Sequence, residues 1–466
     1  MIINQLSEYL IDLKYEDIPK EAIEKAKLCF LDYLAVYFRG LESENSKIAI
    51  KTIYEFYGDA FNSSNKGFIN GIASHSLDLD DGHRRAQLHP GAVVFSTVLA
   101  LASDNNLDLN ITSQEFLEAV IAGYEVAIVL GMMVNPNHRN QGFHSSGTIG
   151  SIASGAAASK LLKLSQEKTE HCLGLCATQS SGLLEADHAG TMGKSMHVGN
   201  AVRNGIFSAF LAKNGFTGGE SLIDGKEGFI KAMASKSFDD YSDDNGNVDY
   251  SKVSEFLKEN LNKFHIKEVY LKKYPFCRHI HSAIDSALSL KEELNDSADN
   301  LENISSIDIE TYRIASEHDN FIPKNMQDLK QSLPYAVAIS LVCDDLALDS
   351  IDLLIEKGLF NDSNDVEILR IKDIANKINI HNNEELDQLT PDKRPSKVII
   401  KYKDNALENT TYYPLGEVEN PLREEDILEK FRLLNPKFNM NKLQIIKHME
   451  NHSFYEVLEE LDLLDY

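Results

Sequence analysis

The chain has 466 residues, 43% of them hydrophobic, and a net charge of −26 from 46 Lys and Arg against 72 Asp and Glu. Length and apolar content predict a multidomain globular protein, and the negative charge argues against sequence-independent binding to nucleic acid. We expect a cytoplasmic protein that does not contact a membrane. The first residues lack signal-peptide features, the apolar run Ala92 to Ala102 is too short to cross a bilayer, and the five cysteines form no regular framework.

Residues 1 to about 240 show one helical pattern after another, within a first domain that we predict over 1–264. Thr112-Ser113-Gln114-Glu115 matches a capping box, and apolar residues recur behind it at helical spacing. Gly147 to Leu162 is rich in Gly, Ala and Ser, which is typical of a helix whose backbone lies close to its neighbours. The helix predicted over Lys194 to Lys213 ends at Asn214-Gly215. We therefore predict an all-helical first domain.

The pattern changes after a polar stretch, Ser237 to Ser251, which we interpret as a solvated loop. Ser306 to Tyr312 and Lys397 to Tyr402 alternate with period two, as half-buried strands do. Helical patterns occur before, between and after these strands: Ile280 to Leu294, Tyr335 to Leu346, and in the tail Glu424 to Leu434 and Phe454 to Leu464. The sequence thus predicts a mainly α fold, with a smaller α+β domain over 265–408, a C-terminal segment over 409–466, and a cleft between the domains.

Three polar clusters lie among small residues, and each leads into an apolar helix. They run from His75 to Gly91, from Gln141 to Gly147, and from Met192 to Asn200. Helix N-termini carry free N–H groups and partial positive charge, which suits a bound carboxylate. Arg84, Arg85 and Lys194 supply the cations that an acidic chain must gather to hold an anionic substrate.

Several simpler interpretations compete with a functional site. Asp78, Asp80 and Asp81 resemble a metal cluster, but the calcium-loop pattern fails at its sixth and twelfth positions, which are His83 and His89. We expect no metal. His75 and His197 are interpreted as helix-end or packing residues. The chain has no nucleophile elbow, Walker motif or dinucleotide fingerprint, so we expect acid–base chemistry without a cofactor.

At these clusters the sequence resembles the MmgE/PrpD family of 2-methylcitrate dehydratases, cis-aconitate decarboxylases and iminodisuccinate epimerases. The resembling segments are Asn70 to Asp81, Leu88 to Pro90, Gly142 to His144, Gly193 to Ala201, Tyr274 to His281 and Pro414 to Leu422. The resemblance implies a large helical domain, a smaller α+β lid, an active site between them, and a homodimer without a bound cofactor. It also implies that the C-terminal helices pack back on the first domain.

The resemblance also implies which residues act. Catalysis is assigned to His89, His144, Lys194 and Asp78: the two imidazoles serve as general acid and base, the ammonium stabilises negative charge, and Asp78 orients a histidine. The remaining assignments concern binding of the substrate. They comprise Arg84, Arg278, His281 and Tyr312, the last matching a tyrosine of the family.

Two positions depart from the family pattern. Gly82 stands where the dehydratase and decarboxylase branches place Thr, and Phe143 stands where the epimerase branch places Tyr. We predict a dehydratase-like lyase that abstracts a proton next to a carboxylate on a small polycarboxylic acid such as a 2-methylcitrate-like compound. The alternatives are an epimerase or other isomerase, a decarboxylase of a related di- or tricarboxylate, and a non-catalytic carboxylate-binding protein.

Overall fold

The computed structural model describes residues 1–58, 62–107, 109–243, 245–294 and 301–464, with the side chain of residue 188 outside the description. The chain divides into two compact units. The first comprises Met1–Ala186, Met192–Tyr270 and Glu424–Tyr466, and the second comprises Asp187–Thr191 and Leu271–Arg423.

Up to Tyr270 the described chain is helical. Its helices are α1 (Ile2–Asp12), α2 (Lys20–Leu41), α3 (Glu44–Tyr57), α4 (Ser63–His75), α5 (Pro90–Ala102), α6 (Ser113–Val134), α7 (Asn137–Asn140), α8 (Ser145–Leu161), α9 (Gln166–Thr178), α10 (Glu185–His188), α11 (Gly193–Lys213), α12 (Phe229–Met233), α13 (Ser235–Asp240) and α14 (Tyr250–Asn260). The predicted loop from Ser237 to Ser251 is shorter than expected, since α13 and α14 occupy its two ends. Asp244, part of that prediction, lies outside the described residues.

The centre of the first unit is formed by α4, α5, α6, α8 and α11, which pack on one another. Small residues allow the close contacts: a Cβ atom on Gly71 of α4 would lie 2.9 Å from the Cα of Gly199 on α11. The capping box of Thr112 and Glu115 starts α6 as predicted. Helix α11 ends at Lys213, and Gly215 follows with φ +93°, confirming the predicted stop signal.

Helix α6 is long and apolar enough to cross a membrane by length and composition alone, but 89% of its most apolar window is buried inside the fold. Its buried residues include Phe116, Leu117, Tyr124 and Leu130. That burial is what a core helix of a globular protein shows, because such a helix is apolar all round.

The second unit is an α+β domain. Its elements are α15 (His281–Glu293), β1 (Ile304–Thr311), α16 (Arg313–Ser316), α17 (Met326–Lys330), α18 (Leu333–Val342), α19 (Leu348–Glu356), α20 (Val366–Asn376), β2 (Ile378–Asn382), α21 (Glu384–Asp387), β3 (Ser396–Tyr402) and β4 (Asn405–Thr411). The strands form one sheet in the order β2-β1-β3-β4. β1 is parallel to β2 and antiparallel to β3, and β3 and β4 form a hairpin.

The fold class is confirmed, because a large helical unit accompanies a smaller sheet-containing one. β1 and β3 are the strands that the alternation predicted, and their inward side chains, such as Ile307, Ile309 and Val398, are buried in the core of this unit. β2 and β4 were not predicted. They are the edge strands, and β4, Asn-Ala-Leu-Glu-Asn-Thr-Thr, has no buried residue to produce an alternating apolar pattern.

The C-terminal segment groups with the helical unit and forms α22 (Glu424–Leu434), α23 (Gln444–Lys447) and α24 (Phe454–Glu460). Lys430 of α22 is buried, and its Nζ lies 2.6 Å from Oδ1 of Asp32 and 2.8 Å from the carbonyl oxygen of Leu79. Phe454 stacks on Phe116 with ring centroids 3.9 Å apart. The segment therefore supports the loop that follows α4.

The unit boundaries differ in position from the predicted domain boundaries at 264 and 408. Residues 265–270 belong to the helical unit, where the backbone N–H of Ile266 donates to Glu125 of α6 and Tyr270 pairs with Gly82. Residues up to Arg423 belong to the second unit, because β4 continues to Thr411 and the chain beyond it contacts Arg278 through Leu415.

Candidate active site

Three helices of the first unit begin at the predicted clusters. His89 is the N-cap of α5, His144 is the N-cap of α8, and Lys194 lies in the first turn of α11. The first two clusters lead into α5 and α8 as predicted, whereas the third lies within α11 itself from Gly193 onward. Because the N–H groups of a first turn have no intrahelical partners, three partially positive helix ends are present in the same unit as these side chains.

The tautomer of His89 is set by the backbone. Its Nδ1 lies 2.6 Å from the carbonyl oxygen of Asp81. A carbonyl oxygen only accepts hydrogen bonds, so Nδ1 carries a proton and donates it. In the neutral ring the lone pair is therefore on Nε2. The side chain is 15% exposed, which leaves His89 as a proton acceptor that remains accessible.

His75 and Asp80 join His89 in a buried group. Nδ1 of His75 lies 2.7 Å from Oδ2 of Asp80, and the same oxygen lies 3.4 Å from Nδ1 of His89. The rings of His75 and His89 are 4.9 Å apart between centroids. Sequence reasoning interpreted His75 as a helix-end residue. A sequence signal for the pairing was the short spacing of five residues between His75 and Asp80, because the chain turns between them and can bring the two side chains together.

His144 lies on the other side of His75. The two rings are stacked, with centroids 5.7 Å apart and planes inclined by 22°. Burial lowers the pKa of His144 well below its usual value, and positive charge on His75, Lys194, His197 and His89 lowers it further. His144 is therefore neutral at neutral pH. Its Nδ1 lies 3.2 Å from Nδ1 of His197, so one of these nitrogens donates and the other accepts.

His197 also was not predicted as a site residue. It lies on α11 three residues after Lys194, a spacing that places both side chains on the same face of the helix. This spacing was visible in the sequence and is the signal that would have identified it.

Lys194 pairs with Asp78. Nζ lies 3.4 Å from each carboxylate oxygen, and the side chains are 17% and 5% exposed. Asp78 adopts a left-handed backbone conformation, with φ +55°, which Asp tolerates better than most residues. A cation in the first turn of a helix is unfavourable, and the Asp78 carboxylate offsets this. Asp78 was predicted to orient a histidine, and this stays a prediction; a carboxylate oxygen of Asp80 lies beside Nδ1 of both His75 and His89.

Asp81 holds the start of α5. Its Oδ1 accepts from the backbone N–H of Gly91 at 2.9 Å, and its Oδ2 accepts from the Tyr124 hydroxyl at 2.6 Å. Burial raises the pKa of Asp81 to about 7, against the lowering effect of the Tyr124 hydrogen bond. The three aspartates of the predicted metal-like cluster thus have different partners rather than a common centre.

Two groups of side chains have ligand atoms close enough together to hold a metal ion: His75, Asp80 and His89, and His83, His265 and Glu268. The hydrogen bonds give these short distances another explanation. Nδ1 of His89 donates to a carbonyl oxygen. Nδ1 of His83 accepts from the backbone N–H of Ala86 at 3.1 Å, which leaves its ring proton on Nε2, 3.4 Å from Glu268. In both groups an imidazole N–H faces the carboxylate, so hydrogen bonding explains the short distances.

The predicted substrate-binding residues outside the three clusters belong to the second unit. Arg278 is buried, donates to Glu417 and to the carbonyl oxygens of Leu415 and Pro414, and contacts Nδ1 of His281 at 3.1 Å. His281 is also buried, and its Nε2 donates to a backbone carbonyl 3.0 Å away.

Tyr312 and Arg84 complete the predicted set. The Tyr312 hydroxyl lies 2.7 Å from Nδ1 of His279 within the second unit, and burial raises the pKa of Tyr312. Arg84, in the first unit, is partly exposed on the loop between Asp81 and His89. The predictions that these residues, Arg278 and His281 bind substrate stay predictions.

Comparison with known proteins gives a consistent result. The model of the MmgE/PrpD N-terminal domain matches residues 4–240, and that of the MmgE/PrpD C-terminal domain matches residues 274–452. The chain is 26% identical to a cis-aconitate decarboxylase of Aspergillus terreus, over 93% of this chain and 89% of the relative. It is 25% identical to a human cis-aconitate decarboxylase, over 96% and 92%. It is 24% identical to a probable 2-methylcitrate dehydratase of Saccharomyces cerevisiae, over 95% and 84%.

Proposed function

The chain belongs to the MmgE/PrpD family, and we propose that it is a lyase that abstracts a proton next to a carboxylate on a small polycarboxylic acid. Relatives named as a decarboxylase of cis-aconitate and as a dehydratase of 2-methylcitrate support this substrate class. Within it we propose dehydration of a 2-methylcitrate-like compound. Decarboxylation of a cis-aconitate-like compound is the second candidate, favoured by the relatives that carry that name.

The observation that carries the proposal is the grouping of imidazoles beside one lysine. The ring of His75 lies 4.9 Å from that of His89 and 5.7 Å from that of His144, and the charge of Lys194 acts on His144. A chain with a net charge of −26 repels anions on average, so cations gathered in one place serve to attract a polycarboxylate. The three helix N-termini add to this local positive potential.

The proposed chemistry follows from the charge states. Loss of a proton from carbon next to a carboxylate leaves negative charge on the carboxylate oxygens, and Lys194 stabilises that charge. His89 presents Nε2 as a proton acceptor, because its Nδ1 is committed to a carbonyl oxygen. His144, held neutral by burial and by neighbouring positive charge, hydrogen-bonds to the substrate and exchanges a proton with it. General acid–base catalysis of this kind contributes about 10²–10⁴-fold.

The test is incubation of the purified protein in heavy water with 2-methylcitrate, cis-aconitate and an amino-dicarboxylate, followed by proton NMR. Dehydration is expected to give a new unsaturated product, and decarboxylation a product with one carboxylate fewer. Deuterium exchange at carbon without a new product indicates an isomerase. Binding of all three compounds without exchange or turnover would show a carboxylate-binding protein and overturn the proposal.

We further propose that Arg84, Arg278, His281 and Tyr312 contribute to recognition of the distal carboxylates, and that the protein is a cytoplasmic homodimer. Arginine suits carboxylates because its guanidinium forms two parallel hydrogen bonds to them. Substitution of Arg84 by Gln is expected to raise KM more than it lowers kcat, because a binding contact made equally in the ground and transition states affects KM. Light scattering of the purified protein tests the dimer.

A further inference from the structure

A third imidazole lies between the two histidines of the proposed mechanism. His75 is the last residue of α4 and is 2% exposed. Its ring lies 4.9 Å from that of His89 and is stacked at 5.7 Å on that of His144. The His75 ring therefore contacts the rings of both histidines of the proposed mechanism.

The hydrogen bonds of His75 leave one ring nitrogen for another partner. Nδ1 lies 2.7 Å from Oδ2 of Asp80 and donates to it. Nε2 is buried and has no hydrogen-bond partner within the described part of the protein. A buried polar atom without a partner is unfavourable, and a substrate atom that hydrogen-bonds to Nε2 removes this cost.

We propose that His75, supported by Asp80, is a further catalytic residue, and that its Nε2, rather than that of His89, takes the proton from the carbon next to the substrate carboxylate, while Nε2 of His89 accepts a hydrogen bond from the substrate. This inference rests on the proposed function. The C–H bond breaks, a bond forms between the proton and Nε2, and the electron pair passes to the carboxylate stabilised by Lys194. In a dehydration that pair then forms the carbon–carbon double bond as the C–O bond breaks, and the departing hydroxide takes the proton from His75 to leave as water.

Asp80 favours His75 in this role over His89, whose Nδ1 donates to the Asp81 carbonyl oxygen and lies 3.4 Å from Asp80, and over His144. A carboxylate in contact with Nδ1 stabilises the imidazolium that forms when Nε2 accepts a proton, and it keeps the ring in the required tautomer. The groups that face His75 are Asp80, His89 and His144. His144 has positive neighbours and is kept neutral by them and by burial. Of the two stacked rings, His75 is the one with a carboxylate partner to hold the proton.

The experiment uses the full-length variant His75→Asn. The Asn amide nitrogen retains a donor for Asp80, whereas the function of Nε2 is lost. The matched control is His265→Asn, because His265 is likewise buried, at 4% exposed, and has its Nδ1 3.3 Å from a carboxylate oxygen of Glu268 outside the site. Both variants are compared with the wild type for turnover and carbon–deuterium exchange of 2-methylcitrate and cis-aconitate, and for the pH dependence of kcat/KM.

We expect His75→Asn to lower kcat by about a hundredfold or more and to remove one limb of the pH profile, while His265→Asn retains the wild-type rate and profile. A His75→Asn variant with wild-type rates and an unchanged profile overturns the proposal while the proposed function stands. A wild-type protein that neither converts nor exchanges either compound removes the proposed function, and the role of His75 with it.

A second measurement applies if His75→Asn does not fold. The wild-type protein is crystallised with tricarballylate, a saturated tricarboxylate without a leaving hydroxyl. The proposal expects Nε2 of His75 within about 3 Å to 4 Å of the ligand, the range of a hydrogen bond or close contact. A ligand bound beside Lys194 and out of reach of Nε2 overturns it.

Discussion

Replacement of Lys194 by Met separates two roles of one ion pair. Nζ of Lys194 lies 3.4 Å from both carboxylate oxygens of Asp78, and the side chains are 17% and 5% exposed. If Lys194 only neutralises Asp78, its loss lowers stability, and any loss of activity results indirectly from displacement of the loop that carries Asp78. If Lys194 stabilises the charge that develops on the substrate, turnover depends on the ammonium group itself.

The expected magnitudes differ between the two roles. Breaking a buried pair from one side costs about 3–5 kcal/mol, and the partial exposure of Lys194 reduces this to about 2 kcal/mol, because water screens the remaining charge. A lost stabilising contact in the transition state costs about 2.7–4 kcal/mol, or about 10²–10³-fold in kcat. Lys194→Met is therefore expected to show both losses.

A double-mutant cycle with Asp78→Asn tests the assignment. Lys194→Met/Asp78→Asn removes both charges, so we expect urea unfolding to show most of the lost stability restored and kcat to remain about 10²-fold below wild type. The matched control is Lys160→Met with Glu118→Gln, a pair at 2.9 Å with side chains 8% and 16% exposed, which is expected to change stability and leave kcat unaffected. Recovery of kcat to within about tenfold of wild type in the Lys194 double variant would refute a role for Lys194 in charge stabilisation.

Three further outcomes are expected. His144→Gln should lower kcat/KM for the accepted substrate by about a hundredfold with little change in melting temperature; a wild-type value removes His144 from the mechanism. Lys430→Met should lower the urea-derived free energy of unfolding by about 3–5 kcal/mol, because Asp32, 1% exposed, loses its cation; a loss below about 1 kcal/mol contradicts this. Burial raises the pKa of Glu125 from 4.5 to about 7. Between these two values the folded protein holds a proton that the unfolded chain releases. The stability of the wild-type protein therefore falls as the pH rises from about 4.5 to about 7. Glu125→Gln should show a fall that is smaller by up to about 3 kcal/mol between pH 5 and pH 8, and Asp81, whose pKa burial also raises to about 7, accounts for a fall that remains.

The parts of the fold that were predictable have strong local signals. The capping box at Thr112 and the Asn214-Gly215 stop defined α6 and α11, because caps act within a few residues of the helix end. Strands β1 and β3 were predicted because their alternating side chains are buried on one face. The edge strands β2 and β4 were not, since their pairing is determined by the neighbouring strands rather than by their own apolar residues.

The site was predictable as three clusters, but its internal pairing was not. Sequence reasoning found His89, His144 and Lys194 because each stands beside glycine or serine at a helix start. It assigned a histidine-orienting role to Asp78 and none to Asp80, which contacts His75 and His89. Which of two aspartates two residues apart faces an imidazole depends on the left-handed turn at Asp78, and no residue type dictates that turn in advance.

Gly82, which replaces the threonine of the family pattern, is in contact with a residue distant in sequence, Tyr270. The backbone of Gly82 exchanges two hydrogen bonds with Tyr270, at 3.1 Å and 2.8 Å. A Cβ atom at position 82 would overlap the Tyr270 ring and its hydroxyl, so a threonine does not fit there while that ring remains in place. The hydroxyl that the resembling family carries at this position is absent from residue 82, and a tyrosine hydroxyl lies where the threonine side chain would begin. The residue types at positions 82 and 270 therefore depend on each other, although the two positions are far apart in sequence. Any comparison of this site with its relatives must treat them as a pair.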